Sequence, residues 1–286
     1  MKRLLLILVS ATLAALTLSA QGRYQITWER VCMDGSRTGC SIPGTDNIKE
    51  SIGSVEGNTY HAPNGKDYKG GSIVKIASRV IDAQSEMTPV KRYIGESPRV
   101  LRAHKPESEL SDMMTDRMLI TARRIFSDKQ IDVAFGNFGG IRTIIPKGRV
   151  IADDIISMFP FKNHLAYVKI KGTRLREIFD QLVKTGIQPF SGATLVVRDR
   201  SIESLLVGGK PIDDDAEYGI TTLDFLLDGG DNLYLRKDAI ELIQSDVILL
   251  DLVMEYVDSL STAGAPITYH TDGRVRIINS SEKEGK

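Results

Sequence analysis

The sequence predicts an α/β protein in the broad α+β sense, a mixed β-sheet covered by helices, on three observations. Long stretches with apolar residues at three- and four-residue spacing alternate with short β-branched runs. Some of those runs are joined by tight glycine turns, as in hairpins, while others are separated by a helical stretch, as parallel crossovers require. No unit of about 20 to 50 residues recurs, which excludes a repeat architecture.

The chain begins with basic Met1-Lys2-Arg3 and an apolar run from Leu4 to Ala20 that ends in small residues. That pattern is a secretory signal peptide, so residues 1–20 are expected to be removed and the mature protein to be exported, periplasmic or extracellular, with no membrane span after cleavage. Interruption by Ser10, Thr12 and Thr17, with no stop-transfer pattern behind, argues against an anchor. The remaining chain of roughly 265 residues is long enough for a sizeable core. The 286 residues carry 37 Lys and Arg against 37 Asp and Glu. With no basic stripe, a nucleic-acid partner is not expected, and a small molecule or a protein is. Cys32 and Cys40 in an oxidising compartment are compatible with a disulfide or with two free thiols. His61, His104, His164 and His270 show no metal-ligand spacing, so neither a metal site nor a cofactor is expected in this chain.

Residues 21–70 are rich in Gly, Ser, Asn and Asp, with strand-like Tyr24–Trp28 and loop signals at Asp34-Gly35 and Pro63-Asn64-Gly65, and read as an irregular N-terminal segment. The main domain spans 71–279 and a polar tail spans 280–286. Within the domain, Ser72–Met87 and Glu107–Phe126 have helical spacing, the second with a Met stripe suited to a core. Asp132–Phe135 is a short strand running into Gly136-Asn137-Phe138-Gly139-Gly140. Asp153-Asp154 caps a short helix through Met158. His164–Ile170 alternates as a strand, and Thr173–Lys184 is a helix stopped by Gly186. Leu195–Arg198 and Ile202–Val207 form an antiparallel pair, and Gly208-Gly209 turns toward the next pair. Tyr218–Thr222 is a strand leading to Phe225, Val247–Leu260 a helix, and Val275–Ile278 the last strand.

Three loops combine glycines, which let backbone approach a ligand, with groups suited to a base or a phosphate. In the first, Asn137, Gly139 and Gly140 offer amides for an anion and Arg142 a planar fork for phosphate oxygens. The second is Phe159-Pro160-Phe161-Lys162-Asn163, with an aromatic face for stacking and an amide for a base edge. Phe225 to Asn232 is the third, with a ring, a glycine pair and Asp231. Singly, each also fits a plain turn or a buried ring.

Taken in order, Glu107-Ser108-x-Leu110, Gly139-Gly140-Ile141-Arg142, Pro160-Phe161-x-Asn163, Gly172, Ser191-Gly192, Phe225-x-x-x-Gly229-Gly230-Asp231 and Gly273-Arg274 resemble the C-terminal, substrate-binding domain of the 5'-nucleotidase family. The resemblance covers Gly71 to Ile278. It implies that Phe161 and Phe225 sandwich a nucleobase, Asn163 reads its edge, Asp231 holds the ribose and Arg142 grips phosphate. Arg99 and Arg102 fall near the positions of two further phosphate arginines, though their spacing departs from the family's. Phe138 departs too, standing where a small residue is usual.

The family's Asp-x-His, Asn-His-Glu and Gly-His-x-His motifs, which bind two metals in its metallophosphoesterase half, do not occur in the sequence. No catalytic residue is therefore expected here. The resemblance implies the nucleotide-binding half of a 5'-nucleotidase-like phosphohydrolase, with divalent metals held by a separately encoded metallophosphoesterase subunit. The alternatives are a stand-alone exported nucleotide-binding protein for scavenging or sensing, and a scaffold module that has lost its ligand. Retention of both Phe, Arg142 and Asp231 weighs against the last.

Overall fold

The computed structural model describes residues 47–279. The expected signal peptide, the strand expected over Tyr24–Trp28, Cys32, Cys40 and residues 280–286 lie outside the described residues. At the centre lies a five-stranded mixed sheet in the order β13 (Glu241–Ile248), β7 (His164–Lys171), β12 (Glu217–Leu223), β5 (Val133–Phe135), β8 (Phe190–Ser191). β12 runs parallel to β5, while β7 is antiparallel to both β12 and β13. Leu165, Ala166, Tyr167 and Val168 of β7 are all buried. Successive side chains of a strand point to opposite faces, so both faces of this sheet are covered.

The aromatic contacts show what covers them. Helix α5 (Gly172–Thr185) places the Phe179 ring 5.3 Å from Phe135 and 5.2 Å from Phe190 on one face. Helix α3 (Glu109–Ile125) delivers Phe126, just past its end, to 5.8 Å from Tyr167 on the other. Met113, Met114 and Met118 of α3 are fully buried, as the Met stripe predicts. Helix α6 (Leu249–Thr262) packs beside α3. α3 starts where Ser108 caps it, its hydroxyl accepting the Ser111 N–H. α5 ends at Gly186, whose φ of 122° only glycine adopts readily.

A second sheet, in the order β11 (Lys210–Pro211), β10 (Ser201–Val207), β9 (Ala193–Arg198), β14 (Val275–Ile278), contains the predicted Gly208-Gly209 hairpin. β4 (Tyr93–Ser97) and β6 (Gly148–Ile151) pair with each other, and β6 leads into α4 (Ala152–Met158), where Asp154 accepts the Ile151 N–H.

Four features depart from the sequence reading. Residues 54–69 form a regular antiparallel meander of β1 (Ser54–Glu56), β2 (Thr59–His61) and β3 (Asp67–Lys69), preceded by the single turn α1 (Ile48–Ser51). The strands are three residues each, too short to show a period. Helix α2 spans Gly71–Asp82 and stops short of Met87; turns follow, and Ile73, Ile76 and Val80 face outward. β4 carries no clean alternation, because a register shift between Tyr93 and Gly95 interrupts its pairing with β6. The spacing predicts a helix from Val247, yet Val247 and Ile248 end strand β13. A register shift between Gln244 and Ile248 breaks its alternation, which hides it from a period-two search.

Candidate functional site

The topology brings the three glycine-rich loops to one end of the central sheet. β5 and β12 are parallel, so their C-terminal ends emerge together, carrying Asn137–Arg142 and Phe225–Asn232. β7 is antiparallel to β12, so its N-terminal end arrives at the same place, carrying Phe161 and Asn163. Asn137, Gly139, Arg142, Phe161, Asn163, Phe225 and Asp231 line one pocket of about 280 Å³. Gly140 lies directly behind, with Asn137 Oδ1 2.7 Å from where a Cβ on it would stand.

Phe161 and Phe225 are each 49% exposed, so the core hypothesis for these rings fails. The Arg142 guanidinium lies 5.9 Å from the centre of the Phe161 ring, and its Nη1 donates to the Gly139 carbonyl at 3.1 Å. Asp231 is held in the left-handed region at φ 49°, which Asp visits at some cost. Its Oδ2 accepts from Asn137 Nδ2 at 2.7 Å, so two of the loops are tied across the pocket floor. Asn137 is buried and its Oδ1 has no hydrogen-bond partner. Gly230 admits no side chain, because a Cβ there would lie 2.3 Å from the Phe225 carbonyl oxygen and 2.6 Å from its ring.

Two exposed aromatic rings, an amide, a carboxylate and a guanidinium around one hollow suit a planar ring joined to a polyol and an anion. Among the described residues, the pocket gathers no general base poised on a nucleophile.

The remaining motifs serve a different purpose. Glu107 Oε1 accepts the Asp272 and Gly273 N–H groups at 3.1 and 2.9 Å, and Oε2 accepts that of Val275. Arg274, buried, reaches Asp116 at 2.8 Å, Asp272 at 2.8 Å and the Phe190 carbonyl. Asp116 also accepts from Tyr269 at 2.7 Å and from Ser191. Burial pushes the Asp116 carboxyl up, but the bonds from Arg274, Ser191 and Tyr269 outweigh it and hold it below the usual range. Asp112 lacks such donors. Burial, with Glu107 and Asp272 adding to it against Arg274, pushes its carboxyl up to about 8. Glu107, Ser191, Gly273 and Arg274 thus latch β14 and β8 onto α3.

Sequence reasoning missed Asp116, the hub of this latch. Its signal was two carboxylates four residues apart, Asp112 and Asp116, in the midst of a Met-rich apolar stripe.

Arg99 and Arg102 are not brought into the pocket. Arg99 pairs with Glu109 at 2.5 Å and donates to the Tyr269 carbonyl, while Arg102 lines a separate open hollow with His104, Pro106 and Glu107. Phe138 does not line the pocket either; its ring lies 6.0 Å from Lys105 Nζ, and its N–H is held by Gln188 Oε1 at 2.9 Å. Among the described residues no helix is long and apolar enough to cross a membrane.

The sequence and the fold match known proteins. The family model for the 5'-nucleotidase C-terminal domain matches residues 87–237, more than half of the chain. A 5'-nucleotidase of Vibrio cholerae is 27% identical over 138 residues, 46% of this chain and 24% of its own length. Endonuclease YhcR of Bacillus subtilis is 29% identical over 54% of this chain but only 13% of its own. The chain therefore spans a quarter or less of these two relatives. The crystal structure of a 5'-nucleotidase precursor from Thermus thermophilus superposes with a TM-score of 0.62 at 22% identity, over 76% of this chain and 45% of that one, which shows a common fold.

Proposed function

The chain belongs to the 5'-nucleotidase C-terminal domain family, and from that premise we propose that it is the nucleotide-binding half of an exported 5'-nucleotidase-like phosphohydrolase. One observation carries the reading: six side chains and one glycine from three loops distant in the sequence line a single pocket. In this reading Phe161 and Phe225 enclose the base, Asn163 bonds its edge, Asp231 takes the ribose hydroxyls and Arg142 neutralises phosphate. Asn137, Gly139 and Gly140 shape the loop that receives the ligand. Arg99 and Arg102 have no part in this site as it stands. Residues 71–279 are the binding domain, residues 1–20 the export signal, and the mature chain works in the periplasm or outside the cell.

Phosphoester hydrolysis in this family calls for divalent metals that clamp the nucleophile and the phosphoryl group. Among the described residues, one acidic group has oxygens within 4.8 Å of one another, Glu107, Asp112 and Asp272. It does not fit that task. It contains no histidine, Glu107 is engaged by backbone N–H groups, and Asp272 is engaged by Arg274. The metals are accordingly assigned to a separate metallophosphoesterase subunit, and this chain contributes binding and orientation.

The test is phosphate release from AMP. The purified chain with Mn²⁺, Co²⁺ or Zn²⁺ is expected to release none, and adding a metallophosphoesterase from the same compartment is expected to start turnover. Metal-dependent turnover by this chain alone overturns the division of labour. Tight nucleotide binding with no response to any such partner favours the stand-alone binding protein.

A further inference from the structure

We propose that His164 and Asp224 form a staple that fixes the gap between the two aromatic walls of the pocket, making them positioning residues for the base slot. The inference rests on reading the pocket as a base site. β7 and β12 are paired without interruption from Lys171 and Glu217 to Leu165 and Leu223. Their ladder ends there, and the next residue on each strand is His164 and Asp224. Immediately beyond them the chains part, one toward Asn163 and Phe161 and the other into Phe225. With no ladder bond to hold them, the walls of the slot would be free to splay at this point.

His164 Nδ1 lies 3.2 Å from Asp224 Oδ2. An ionised carboxylate only accepts, so the imidazole N–H is the donor. The other oxygen, Oδ1, accepts the Phe225 N–H at 2.8 Å. One carboxylate therefore binds both the residue that carries the second ring and the strand that carries the first. From the far side, β13 pairs Ile248 with His164, and the Leu249 N–H donates to the Asn163 carbonyl at 2.9 Å. β7 is thus fixed on its outer edge, and the staple is what references the Phe225 loop to it.

Neither residue is among those that line the pocket. Both side chains are partly exposed, 39% and 31%. A pair with that exposure adds little to global stability, so its consequence is local geometry. Stacking depends on the spacing of the two rings, whereas a phosphate held by Arg142 does not.

The experiment compares two ligands on the full chain by calorimetry. One is whichever of AMP, GMP, CMP and UMP binds tightest; the other is ribose 5-phosphate, which has no base. His164→Ala and Asp224→Ala are expected to weaken the nucleotide by about fivefold or more, the value of one hydrogen bond, and to leave ribose 5-phosphate nearly unchanged. His164→Asn keeps an N–H donor near the Nδ1 position and is expected to recover most of the loss. Equal losses for both ligands, or nucleotide binding that His164→Ala leaves intact, overturn the staple alone. If the unmutated chain binds no nucleotide, the base-site reading fails first and takes the staple with it.

Discussion

The Asn137 amide donates to the Asp231 carboxylate at 2.7 Å across the floor of the pocket, so the loop after β5 holds the acid of the loop after β12 in a left-handed backbone conformation. Replacing Asn137 with Ala removes one hydrogen bond and is expected to weaken nucleoside binding about fivefold. Asn137→Asp sets a second carboxylate against Asp231 and is expected to cost more, with the deficit shrinking in high salt. Titrating adenosine into both variants at low and high ionic strength checks the order.

The loop after β12 is also constrained within itself at Gly230. Gly230→Ala drives a Cβ into the Phe225 carbonyl and ring, and either the ring or the backbone must move. The expected result is a lower Tm together with weakened nucleotide binding, measured by thermal melts and calorimetry. A variant that melts and binds like the parent would mean that the Phe225 ring is free to relocate.

How much of this was legible in the sequence follows the length and partnering of each element. Helix α3 and strand β7 were legible because buried faces enforce their period: the Met stripe and the run from Leu165 to Val168 have nowhere else to go. β13 was not, because its register shift destroys alternation, and the meander of residues 54–69 was not, because three residues hold no period. The pocket residues were legible only with the three loops taken together, since Gly, Asn and Asp in any one of them also fit a plain turn. In the sequence His164 is one of four scattered histidines; only the end of the β7–β12 ladder shows what it faces.

The latch behind the pocket gives a stability prediction. Arg274 is buried and pairs with Asp116 at 2.8 Å, so Arg274→Ala leaves the largely buried Asp116 carboxylate without its cation. Removing one partner of a buried pair costs about 3–5 kcal/mol, and a large fall in Tm is expected. Arg274→Lys keeps the charge but loses the fork shared between Asp116 and Asp272, and is expected to recover only part of it.

Asp112 makes that stability depend on pH. Its carboxyl is raised to about 8 by burial, with Glu107 and Asp272 adding to it against Arg274. The folded state therefore holds a proton that the unfolded chain releases near the ordinary Asp value. Its contribution is fully present below about pH 4 and is lost as the pH rises through about 8. Tm is expected to fall between pH 5 and 8.5, and Asp112→Asn, which stays neutral, is expected to flatten the slope across that window. A slope that survives in Asp112→Asn belongs to another group.

Calorimetry with AMP and adenosine against Phe161→Ala, Phe225→Ala and Arg142→Ala, with a melt of each variant, tests the base clamp most directly. Because both rings are half exposed, the Phe variants are expected to melt close to the parent yet bind each ligand roughly five- to a hundredfold more weakly, the value of one stacked face. Arg142→Ala is expected to penalise AMP far more than adenosine. Phe variants that bind AMP and adenosine as tightly as the parent would contradict the clamp, whatever their melting temperatures.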